Sequence, residues 1–96
     1  MNRAETFELR RQVDGLVYRF HRQIGADGAL AYKREDRNLW IVRSAQWGWV
    51  SLMPEDGAIA GRPWDVAPED QGDAPPEGIW VSRKGEKSYV YDLVYV

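Results

Sequence analysis

From Ala29 to the C-terminus, one proline-rich interval apart, side-chain type alternates with a period of two, in several strands aromatic against aliphatic. Successive side chains of a strand point to opposite faces, so this period commits most of the chain to β structure. Ala29–Glu35, Leu39–Ser44 and Trp47–Met53 read as three strands, with Asp36-Arg37-Asn38 and Ala45-Gln46 as breaks of hairpin length. Ile79–Arg83 and Lys87–Val96 form a further hairpin around Lys84-Gly85-Glu86.

The stretch before Ala29 carries two patterns at once. Leu16, Tyr18 and Phe20 alternate as in a strand. At about 100° per residue, however, Leu9, Val13, Leu16, Val17, Phe20 and Ile24 share one apolar stripe with no polar residue inside it. Gly25 stands where a helix C-terminal glycine belongs, with Arg22 in the last turn. The spacing predicts an amphipathic helix over 4–24. The rival reading is a shorter helix ending near Asp14-Gly15, with a strand from Leu16.

The interval 54–77 holds all five prolines and seven of the fifteen acids, and its apolar residues thin to a few such as Ile59, Trp64 and Val66. It reads as a long loop, either functional or a solvated spacer. Ninety-six residues make a single domain, 1–96, with this loop inside it. The expected fold is α+β: an N-terminal amphipathic helix packed on a five-stranded antiparallel sheet, built from a meander, the long loop and a C-terminal hairpin.

Alternation separates the two faces of that sheet. Trp40, Trp47, Trp49, Trp80, Tyr89 and Tyr91 fall on aromatic sides of their strands, opposite aliphatic residues such as Ile41, Val50, Val81 and Val90. One helix has one stripe and covers one face. The aromatic face is therefore expected to stay partly open and to act as a binding surface, since aromatic anchors concentrate at interfaces. The competing reading is that the sheet curls and the aromatic side becomes the main core.

The inventory narrows the chemistry. The chain has no cysteine, which removes thiol catalysis, disulfides and every cysteine-bearing metal site. His21 is the only histidine, and it has no second ligand for a metal triad. No serine lies in a nucleophile elbow, and Gly85-Glu86-Lys87-Ser88 lacks the Gly-Lys pair of a phosphate loop. No catalytic residue, cofactor or metal is assigned.

Net charge is −2, but residues 1–43 carry nine Lys/Arg against six Asp/Glu, and residues 44–96 four against nine. A two-sided molecule suits a protein partner or a second copy better than a polyanion. Residues 1–6 lack the apolar stretch of a secretion signal, and a cysteine-free chain of this length fits the cytoplasm. No apolar run approaches a membrane span. The expected function is thus a non-enzymatic cytoplasmic interaction protein. The alternative is a single-stranded nucleic-acid-binding module using the same aromatic face with flanking Arg and Lys.

Overall fold

The computed structural model describes residues 5–25, 27–53 and 55–96, Lys84 by its backbone alone. Ala4 and Pro54, the expected starts of the helix and of the long loop, lie outside them. Eight strands follow one another: β1 (Thr6–Arg11), β2 (Val17–Ile24), β3 (Leu30–Arg34), β4 (Trp40–Ser44), β5 (Gly48–Leu52), β6 (Ile59–Pro63), β7 (Gly78–Lys84) and β8 (Lys87–Tyr95). Each pairs antiparallel with the next, and β8 pairs with β1, so the sheet closes into a barrel.

The α+β expectation is overturned: among the described residues there is no α-helix, and the segment read as one is the hairpin β1–β2. Of the six stripe residues only Leu9 and Phe20 are buried, whereas Val13, Leu16, Val17 and Ile24 are exposed. The turn forms at Asp14-Gly15. Gly15 adopts φ +73°, the Asp14 carboxylate accepts the Leu16 N–H at 3.1 Å, and Arg11 and Leu16 close the ladder at 2.7 Å. Glycine takes this backbone without the penalty a side chain imposes, which makes Asp-Gly a hairpin signal. The two strands then place Phe7, Leu9, Tyr18 and Phe20 on one face. Arg11 and Arg22 also take inward register positions near the barrel ends, opposite Tyr91 and Tyr32, and so break the binary pattern of a strand.

The interval 54–77 is corrected in the same way. It contains β6, which completes the ring between β5 and β7, and a single 3-10 turn at Pro68–Asp70. What is left of the loop, among the described residues, is the β5–β6 turn at 55–58 and the connection 64–77.

Closure turns the aromatic side inward. Phe7 stacks on Phe20 at 5.2 Å between ring centres and meets Tyr32 at 5.0 Å, and Tyr32 meets Trp49 edge-on at 5.7 Å. Ile41, Trp80, Tyr91 and Leu93 complete the core. Eight strands enclose a space just wide enough for side chains to fill, and here aromatic rings fill it. Buried polar atoms are paired: the Trp80 indole N–H donates to Ser82 Oγ at 3.0 Å, and among the described residues no buried side-chain polar atom lacks a partner.

Gly61 marks a tight point of the interior. A Cβ there would lie 2.5 Å from Ser82 Oγ, 2.7 Å from Trp80 Nε1 and 2.9 Å from Ser51 Oγ. Overpacking a close-packed interior costs about 1–3 kcal/mol. Gly61→Ala is expected to lower unfolding stability by about that much in urea denaturation. An unchanged midpoint would show that the interior yields at this point.

Candidate interaction surface

The six aromatic residues singled out from the sequence do not share one outer face. Trp49, Trp80 and Tyr91 lie in the core. Tyr89 is half-buried at one barrel end, beneath the Arg11 guanidinium at 4.8 Å. Trp40 pairs with Lys33 on the outer wall, while its neighbour Ile41 points inward, and its indole N–H donates to Asn38 Oδ1 at 2.9 Å. Trp47 sits at the β4–β5 turn with 40% of its surface exposed.

The two ends of the barrel are closed differently. At the end where β1 and β3 finish, Arg34 lies over Tyr18 at 3.8 Å, and Tyr18 meets Tyr91 at 6.1 Å. Arg11 grips Asp14 at 2.6 and 2.9 Å, and Arg34 grips Asp36 at 2.5 and 3.1 Å. Both forks hold a carboxylate from the turn that follows the strand. Burial pushes the Tyr91 hydroxyl above its ordinary pKa, so it stays neutral beside Arg11.

At the opposite end the segment 64–77 forms a strap. Gln71 is its fastener: Oε1 accepts the Trp49 backbone N–H at 2.8 Å, and Nε2 donates to the Val66 carbonyl at 3.0 Å. The Trp49 indole donates to the Gly72 carbonyl at 3.1 Å. Pro75 is fully buried, and its carbonyl accepts the Tyr95 hydroxyl, which burial keeps protonated. Glu77 accepts the Tyr95 backbone N–H at 3.1 Å.

On the outer side of this strapped end lies an exposed aromatic pair. Arg62, on β6, stacks over the Trp47 ring at 5.3 Å. Trp64, two residues on and on the same side of the strand, continues the ladder by donating its N–H to the Ile79 carbonyl, yet leaves 69% of its surface exposed. Next to Trp47, an open cleft of about 520 Å³ separates the turn residues Ser44, Ala45, Gln46 and Gly48 from Pro68 and Glu69. Arg43, which also lines it, is held by Asp73 at 3.5 Å and by the Gln71 carbonyl at 3.4 Å. Trp, Tyr and Arg are the residues that carry most binding energy at protein interfaces. Arg62 gave no separate signal in the sequence. Trp64 did, as a tryptophan in a proline- and acid-rich stretch.

Thr6 Oγ1 lies 3.2 Å from His21 Nδ1, and His21 Nε2 lies 3.2 Å from Glu35 Oε1. This hydroxyl–imidazole–carboxylate chain runs from β1 through β2 to the turn after β3 on the convex outer wall, where water competes with any substrate. It reads as a cross-strand network. The described residues contain no group of three metal-ligating side chains, and no helix among them is long and apolar enough to cross a membrane. The outer wall of β1–β3 carries Glu8, Arg10, Arg19, His21 and Lys33.

The chain matches no family model, no curated protein and no solved structure.

Two measurements check this description. Gln71→Ala leaves the Trp49 N–H without its acceptor, and an unmade buried hydrogen bond costs about 1–3 kcal/mol. Faster exchange at the Trp49 amide and a lower melting temperature are expected, with β2 and β3 amides as protected as before. The second is acid sensitivity. Arg11 holds the Asp14 carboxyl at a pKa of about 2, Arg34 lowers Asp36, and Arg19 lowers Glu8. Carboxyls depressed in the folded state stabilise it above their unfolded pKa of about 4, and that contribution fades as pH falls through the folded values. The melting temperature is therefore expected to hold above about pH 5 and to fall from about pH 4 towards 2, less steeply in Asp14→Asn. A pH-independent melting temperature over that window would contradict the pairing.

Proposed function

We propose that this chain is a small non-enzymatic interaction protein of the cytoplasm that recognises a protein partner with the outer face of its strapped end. The observation that carries the reading is the exposure of Trp47 and Trp64, with Arg62 stacked on Trp47, on a wall whose neighbouring outward register positions, Val42, Val50, Val81 and Val90, are aliphatic. An indole left in water at a position fixed by strand pairing gains apolar burial when a partner covers it, with little ordering cost because β6 and the strap already hold it in place. The absence of cysteine supports the cytoplasmic part of the reading. The nucleic-acid alternative draws less support, because Trp49, Trp80 and Tyr91 are enclosed and no base stacks on them while the barrel is closed.

The test compares two walls. A photo-reactive residue at position 64 and another at position 19, on the opposite side of the ring, are activated in the native cells. The expected result is one discrete protein adduct from position 64 only, lost when Trp47→Ala is added. The same adduct from both positions, or from neither, overturns the reading. Single-stranded oligonucleotides are expected to leave the tryptophan fluorescence unchanged; salt-sensitive quenching would favour the alternative.

A further inference from the structure

The charge around the two exposed tryptophans says what kind of partner fits them. Glu69 lines the cleft beside the Trp47 turn, Asp70 follows it in the same 3-10 turn, and Asp65 follows Trp64. All three are exposed, and among the described residues none has a cationic partner, whereas Glu8, Asp14 and Asp36 each have an arginine. Of the cations at this end, Arg43 is held by Asp73 and the strap, while Arg62 is stacked on the Trp47 ring and, among the described residues, has no carboxylate partner. What faces outward is indole surface with one cation, Arg62, on it and three unpaired carboxylates, Asp65, Glu69 and Asp70, so acid is in excess.

We propose, resting on the interaction reading above, that the occupant of this face is a lysine- or arginine-rich segment of another protein. The aliphatic stem of such a side chain covers apolar surface while its cation meets a ring face or a carboxylate, so one residue type satisfies both features of the patch. A cation placed in the cleft meets Glu69 on one wall and the Ser44–Gln46 turn on the other, with Arg43 drawn aside by Asp73 and the Gln71 carbonyl. A second copy of the chain fits less well. A two-fold contact through Trp47 and Trp64 sets Glu69 and Asp70 near their own symmetry mates, and like charges brought together across an interface oppose it. A nucleic acid or an anionic lipid surface meets the same repulsion.

The experiment titrates the full-length chain with a six-residue oligo-arginine peptide, followed by nitrogen–proton spectra. The expected result is a set of shifts confined to the Trp47 and Trp64 indoles and the Glu69 and Asp70 amides. Affinity is expected to fall about tenfold or more in the Glu69→Gln/Asp70→Asn double variant and in Trp64→Ala, which corresponds to about 1.4 kcal/mol. It is expected to change by less than about twofold in Asp56→Asn/Glu86→Gln, which removes the same charge from turns at the other barrel end. Equal losses in the two double variants would mean diffuse attraction and overturn the proposal, as would absent shifts or equal binding of an oligo-glutamate peptide. Sedimentation showing a dimer that Trp64→Ala dissolves would hand the face to a second copy. If the position-64 adduct forms while oligo-arginine does not bind, the partner is not basic and the interaction reading stands; if both fail, both fall.

Discussion

Five antiparallel pairs, from Phe7↔Tyr95 to Arg11↔Tyr91, join the first strand to the last, and the rest of the structure depends on them. Without that seam the chain is an open eight-stranded sheet with two unpaired edges and an aromatic face in water. With it, every strand has two neighbours, no edge remains to recruit another chain, and the aromatic side has nowhere to point but inward. The seam also places Phe7 against Phe20, Tyr32 and Tyr95, which links strands far apart in sequence through one cluster of rings.

A ring of short strands still has two ends to close, and the chain closes them with different chemistry. One end uses arginine–tyrosine stacks, with each guanidinium clamped by a carboxylate from the adjacent turn. The other uses the strap, pinned by Gln71 and by Pro75 beneath Tyr95. The strap occupies the barrel end, and the two tryptophans at its margin, Trp47 on the β4–β5 turn and Trp64 where the strap begins, lie at the surface. The candidate surface thus adjoins the element that seals this end of the barrel.

The alternation downstream of Ala29 marks strands, and strands are found at Leu30–Arg34, Trp40–Ser44, Gly48–Leu52, Gly78–Lys84 and Lys87–Tyr95. The first hairpin was hidden because a helical stripe and a strand alternation coexist in it, and because Arg11 and Arg22 occupy inward positions near barrel ends, where long side chains reach water. Asp14-Gly15 was the local signal that decides between them. β6 was hidden because a five-residue strand with Gly61 facing in and Pro63 at its end has little of the usual strand composition. Whether an aromatic face is surface or core depends on closure, a long-range event between residues 7–11 and 91–95 that no local pattern reports. The side of Trp40 could not be fixed from β4 alone, since a one-residue difference in register exchanges it with Ile41.

The seam is the point to measure. Nuclear Overhauser contacts between β1 and β8, together with hydrogen exchange at the same amides, report it directly. The closed barrel predicts cross-strand contacts between Glu8 and Val94 and between Arg10 and Asp92, with slowly exchanging amides along both strands. Sequential amide–amide contacts running through residues 6–24, with none between β1 and β8, would mean a helix on an open sheet and would contradict the account.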